Sequence, residues 1–243
     1  MTDVPAKVAP RALARLTGVL YLYIMVAAMF AEAFVRDRLI VSGDGAATLR
    51  NIASSEPLWR WGVAADVSTT LCDVAVAILL YYLLRPVSRV AAFAAAFLRL
   101  TYAAAMAASA ALLAAPLFLL HAAAGKPAFE ASQAPSLVMY SLGVHGAGFD
   151  IALVFFGAHL VLVGILIARS GFLPRALGAA LGVAGVCYVA NTFIGLVAPA
   201  LAPALFPWIL LPGFLAEAGL TLWLLIVGVD PARWVASQPT VGS

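Results

Sequence analysis

AADVSTTLCDVAVAILLYYLLRPVSRVAAFAAAFLRL, residues 65–100, reads as two long apolar helices joined by the turn Arg85-Pro86-Val87-Ser88-Arg89. Asp66, Asp73 and Arg99 lie inside those apolar runs. A charge at the centre of a bilayer costs about 2.5–3.5 kcal/mol on insertion scales, so such residues face partners, water or a ligand. The stretch therefore predicts a membrane-spanning hairpin with a polar inner wall.

Composition extends that reading to the whole chain. Of 243 residues, 65% are hydrophobic and 10% charged, which excludes the polar surface of a soluble domain. The net charge of +3 resides mostly in short connections, so it bears on membrane orientation and not on nucleic acid. No basic run interleaved with aromatics predicts a nucleic-acid surface. Cys72 and Cys187 both fall in apolar helices, in neither a CxxC nor a metal-ligand spacing, and read as small buried apolar residues.

Outward from the hairpin, the first helix is expected over about Leu13–Phe34, preceded by Lys7, Arg11 and Arg15. Its apolar run is too long for the 7–15-residue core of a signal peptide, so an uncleaved span is expected despite Ala31-Glu32-Ala33. Between Val35 and Glu56, the turn residues Ser42-Gly43-Asp44-Gly45 precede apolar positions at helical spacing. A short surface helix at about 45–54 and an ordered loop both fit. Helix two opens near Pro57, with Trp59 and Trp61 marking one interface and Tyr81 and Tyr82 the other. Helix three is expected over Val90–His121, followed by a loop from Gly125 to Ser132.

Pro135 to Arg169 is roughly 52 Å long if wholly helical, against a hydrocarbon core of about 30 Å. Gly143, Gly146 and Gly148 predict a break or kink in that fourth segment. The turn Ser170–Arg175 leads into helix five, Ala176–Val197. Helix six is expected over Trp208–Val229, kinked at Pro212-Gly213. The fold expected is all-α: a single polytopic bundle of six transmembrane helices over residues 13–230, with tails at 1–12 and 231–243. Basic residues favour the side bearing both termini (Lys7, Arg11, Arg15, Arg85, Arg89, Arg169, Arg175, Arg233) over the other (Arg36, Arg38, Arg50, Arg60, Lys126). This predicts a cell-membrane protein with both termini cytoplasmic.

Helical rise converts sequence position into depth. Counted from the inner turns, Asp73 lies roughly 18 Å in, Arg99 and His159 roughly 15 Å, and Glu217 roughly 20 Å. Asp66, Asp150 and Glu32 come at roughly 26–28 Å, and His145 at roughly 36 Å. Asp66 and Asp73 share a helix face, which predicts a polar track from the outer surface to mid-membrane. Asp73 and Arg99, on adjacent antiparallel helices at matching depth, fit an ion pair that pins the hairpin. They also fit a role in binding or proton movement.

His145 and His159 share a helix face at a spacing like that of di-haem helices, but only His121 remains to face them. No haem or other cofactor is expected. Zinc accepts His and carboxylate ligands, and Glu32, Asp66, His145 and Asp150 lie at comparable depths, yet no HExxH or related motif is present and no metal site is assigned. GxSxG and Walker-type phosphate loops are also absent.

AEAFVRDRLIVSGDGAAT (31–48), RWGVAADVSTTLCDVAVAILLYYLLRPVSR (60–89), FFGAHLVLVGILIARSGFLPRALG (155–178) and EAGLTLWLL (217–225) together resemble the bacterial and archaeal domain-of-unknown-function family 4386. The likeness runs from about Arg15 to Val229. It implies multiple membrane helices and supplies no activity. Glu32, Arg36, Asp66, Asp73, Arg99, His145, His159 and Glu217 fall in the parts that resemble the family's pattern.

The leading functional expectation is small-solute binding or proton-linked transport, because ionisable groups near the midplane and interrupted helices mark transport sites. The alternatives are an intramembrane metal-dependent hydrolase and a non-catalytic accessory or assembly protein; whether the chain is an enzyme stays open. The binding or proton-path candidates are Glu32, Asp66, Asp73, Arg99, His145, Asp150, His159 and Glu217. The partners expected are the lipid bilayer and a small-molecule solute, with no nucleic acid and no oligomeric state assigned.

Overall fold

The computed structural model describes residues 9–122 and 131–238. Lys7, Lys126 and residues 125–130 of the expected loop lie outside the described residues. Helices and turns make up the described chain, with no strand among the described residues. Six helices are long and apolar enough to cross a membrane: Pro10–Leu39, Glu56–Leu84, Arg89–His121, Ala134–Ser170, Arg175–Val197 and Trp208–Ile226. They are called the first to sixth spans below.

The connection between the first two spans holds a helix, Gly45–Ser54, so the helical spacing there prevails over the loop reading. Asp44 caps it, its side chain accepting from the Ala47 amide at 2.8 Å. That satisfies one of the amides a helix start leaves unpaired. Gly43, at φ +76°, supplies the preceding left-handed turn.

Of the two expected irregularities, the one in the fourth segment falls elsewhere. The fourth segment is a continuous 37-residue helix, not a broken one. Gly143 and Gly146 have no neighbour that a Cβ would meet, whereas Gly148 lies where a Cβ would come within 2.8 Å of Ser109 Oγ. One of the three glycines thus serves close packing, and none interrupts the helix. The interruption lies in the third span, which turns 3-10 over Ala111–Ala114. Pro116 follows at once; it lacks an amide and cannot complete the regular ladder. In the sixth span the irregularity adjoins Pro212: a 3-10 turn at Trp208–Leu210 gives way to the Leu211–Ile226 helix, with Pro212 in its first turn, where proline is accommodated.

The chain divides into two compact units. The first comprises the chain up to Leu22, Asp73–Thr101 and Leu153 onward. Within it the fourth and fifth spans pack backbone to backbone. A Cβ on Gly164 would lie 2.5 Å from the Gly178 carbonyl oxygen, and one on Gly157 would lie 2.6 Å from that of Gly185. Small residues permit such close approach in membranes. The same unit holds a six-residue helix, Pro231–Ala236, whose buried Trp234 donates its indole N–H to the Leu83 carbonyl at 2.9 Å.

The second unit comprises Tyr23–Cys72 and Tyr102–Ala152. Its core joins Val35, Leu39, Ile52, Trp59 and Leu113. Trp59 was expected at the interface with Trp61, yet it is a core residue; Trp61 is exposed. The indole N–H of Trp59 donates to the Leu113 carbonyl at 2.8 Å. The irregular turn before Pro116 presents that carbonyl to a side chain, so a bulky polar-tipped ring can be buried at no loss of hydrogen bonding.

Candidate functional site

Each unit is built around one arginine. In the first unit Arg99, Asp73 and His159 are 1%, 3% and 0% exposed. Asp73 and Arg99 meet as their matched depths predict: Arg99 donates from Nε and Nη2 to the same oxygen, Asp73 Oδ1, at 3.0 and 2.6 Å. Its Nη1 donates to the Tyr21 hydroxyl and to His159 Nε2, the latter at 3.2 Å. The guanidinium carbon also lies 4.5 Å from the ring centroid of Tyr21 and 5.2 Å from that of Phe156. Four of five N–H bonds and the planar face are thus engaged, an arrangement a lysine cannot reproduce.

His159 brings no charge to this centre. Its Nδ1 lies 2.8 Å from the Ala95 carbonyl oxygen, which only accepts, so Nδ1 carries the proton. Nε2 faces Arg99, which only donates, so Nε2 supplies a lone pair. The tautomer follows from the two partners.

Glu217 is half-buried and belongs to the same unit. It does not touch Arg99 directly by hydrogen bond; Tyr188 donates to its Oε1 at 2.9 Å. Aromatic contacts connect the two groups: Tyr188 and Phe156 have ring centroids 5.8 Å apart, and Phe156 stacks on His159 at 5.8 Å. The interior of the unit therefore contains one arginine, one neutral histidine and two carboxyl groups.

In the second unit Arg36 lies between two carboxylates. Its Nε donates to Glu32 Oε2 at 2.7 Å, while Nη1 and Nη2 engage Asp66 Oδ2 and Oδ1 at 2.5 and 3.4 Å. The side chains of Arg36 and Asp66 are 15% and 10% exposed, and that of Glu32 is 60%. Residues Phe30–Arg36 form a π-helical turn, a wider turn found frequently at functional sites. Gly62 permits the second span to approach it, since a Cβ there would lie 2.8 Å from Val35 Cγ1. Asp66 follows one helical turn later, on the same face, and so reaches Arg36.

His145, also of this unit, is held by Ser109. The Ser109 hydroxyl donates to the His145 carbonyl at 2.9 Å, and His145 Nδ1 donates to the Ser109 carbonyl at 3.1 Å. Asp150 lies on an exposed face of the fourth span. Among the described residues, no three or more His, Cys, Asp and Glu side chains are grouped to hold a metal ion. Every buried side-chain nitrogen and oxygen among the described residues has a hydrogen-bond partner.

Depth counting puts Asp73, Arg99, His159 and Glu217 in one layer; the structure joins the first three and leaves Glu217 one aromatic layer away. The counting missed Tyr21, Tyr188, Phe156 and Ser109, and it did not pair Arg36 with Asp66. Tyr21 and Tyr188 carried a usable signal: a tyrosine deep in an apolar span, away from the interfacial belt, has a hydroxyl that needs a partner. The π-turn had none.

A family model described as a domain of unknown function, DUF4386, matches residues 16–228. A protein of Archaeoglobus fulgidus, described as an uncharacterized protein, is 28% identical over 158 residues, covering 65% of this chain and 78% of that one. No solved structure matches the chain.

Proposed function

The chain belongs to the DUF4386 family, and on that premise we propose that it is a multi-pass membrane protein that binds and carries a small solute with linked proton movement, Glu217 exchanging the proton. The observation that carries this reading is the charge count inside the first unit. Arg99 is paired with Asp73, and His159 is neutral, so Glu217 has no ion-pair partner of its own among the described residues, only the Tyr188 hydroxyl. A carboxylate in a membrane span without a countercharge takes a proton or a cation. Glu217 is also only half-buried, unlike the closed Arg99 centre. In this division of labour Arg99, Asp73, His159 and Tyr21 form a fixed frame, and Glu217 with Tyr188 forms the part that changes state. The basic turns at 85–89 and 169–175 face the cytoplasm.

Infrared difference spectra of the reconstituted protein across a pH titration test the proposal. A protonated-carboxyl band that disappears in Glu217→Gln and persists in Asp73→Asn is expected. In vesicles enclosing a pH-sensitive dye, Glu217→Gln is expected to abolish the proton flux shown by the wild type. A spectrum without a carboxyl band assignable to Glu217 refutes the role given to it.

A further inference from the structure

Apart from both arginine centres, the first unit has an open cleft of about 490 Å³ where the chain leaves the spans. Its walls include Arg11, Gly171, Pro174, Trp223, Asp230 and Arg233. They come from the first turn of the first span, the connection between the fourth and fifth spans, the end of the sixth span, and the short C-terminal helix. Span ends lie where hydrocarbon gives way to headgroups, the depth at which tryptophan is enriched.

The wall chemistry favours an anion. Two guanidiniums face one carboxylate, giving the cleft a surplus of one positive charge. Arg233 is oriented by the Gly171 carbonyl, to which Nη1 donates at 3.2 Å, and by Asp230, 3.4 Å from Nε. Arg11 is exposed and has no ion-pair partner among the described residues. Trp223 is fixed as a wall by donation of its indole N–H to the Gly228 carbonyl at 3.1 Å. Gly228, at φ +75°, turns the chain out of the sixth span so that Asp230 and Arg233 come back over the cleft.

We propose that this cleft binds a phosphate-bearing anion, with Arg11 and Arg233 as its ligands, and that the anion is the headgroup of an acidic phospholipid. The depth of the site and its volume, much larger than a single phosphate, favour the lipid over the free ion. Arginine recognises phosphate through paired N–H donors, and basic pockets at span ends hold acidic headgroups.

The test is native mass spectrometry on the full chain in neutral detergent, titrated with dioleoylphosphatidylglycerol, dioleoylphosphatidylcholine or inorganic phosphate. A one-to-one phosphatidylglycerol adduct favoured over phosphatidylcholine is expected. Arg11→Gln/Arg233→Gln should weaken it about tenfold or more, whereas Arg50→Gln, on the Gly45–Ser54 helix, should leave it unchanged. An adduct that resists millimolar inorganic phosphate identifies the lipid as the source, and displacement by phosphate that depends on both arginines identifies the free ion. Equal binding of the two lipids by the wild type, together with no phosphate binding, overturns the site even if the double variant does not fold. Undiminished binding in a folded double variant overturns it as well.

Discussion

Arg99 and Arg36 each engage an aspartate of the second span, Asp73 and Asp66, yet their surroundings differ. Arg99 is 1% exposed and meets Asp73, a tyrosine hydroxyl, a histidine lone pair and two aromatic faces. Arg36 is supported by carboxylates alone, one of them 60% exposed, and sits in a π-turn. Where water is excluded, an ion pair needs neutral hydrogen-bond partners to fill out its valences, because unmet donors cost most there. Where water remains within reach, a second carboxylate is enough. The Arg99 centre is thus closed and filled by neutral partners, and the Arg36 centre is more open and held by carboxylates.

The contrast is broken most forcefully at Arg99. Arg99→Met should destabilise the solubilised protein by about 3–5 kcal/mol, since Asp73 is left buried and unpaired. Asp73→Leu combined with Arg99→Met should recover much of that loss. Thermal unfolding of the two variants in the same detergent provides the comparison, and a double variant no better than the single one would show the pair to be more than mutual compensation. Arg36→Met should cost less, about 1.5–3 kcal/mol, the scale of charge-assisted hydrogen bonds. Equal penalties at the two positions would erase the distinction between the centres.

Smaller changes sharpen it. Trp59→Phe removes the donor to the Leu113 carbonyl and should cost about 1 kcal/mol in unfolding measurements. Glu32→Gln should cost less than about 1 kcal/mol, because the lost pair is exposed. That small penalty should also fade as salt is raised, whereas the penalty at Asp73 should not, because buried pairs are screened far less.

Much of this was legible in the chain. Span number and the approach of Asp73, Arg99 and His159 follow from apolar run length and a rise of about 1.5 Å per residue. These are one-dimensional quantities. The placement of Trp59 was not legible, because an indole near a span end suits either the lipid interface or a core, and the choice rests on a carbonyl presented by another span. The π-turn was illegible for a related reason: regular counting assigns Glu32 and Arg36 an ordinary helical turn, and the wider one lies where Val35 packs against the second span at Gly62.

The sequence by itself determined that the chain crosses a membrane, roughly where, and which charges lie deep, because exclusion of charge from hydrocarbon acts on each residue separately. Tertiary structure decided which charges neutralise one another. Asp73 forms the ion pair with Arg99, His159 is left neutral between Arg99 and a carbonyl, and Glu217 is left with a tyrosine. Those assignments depend on which helix faces adjoin and on which groups donate or accept, and neither is written in the spacing of any single helix.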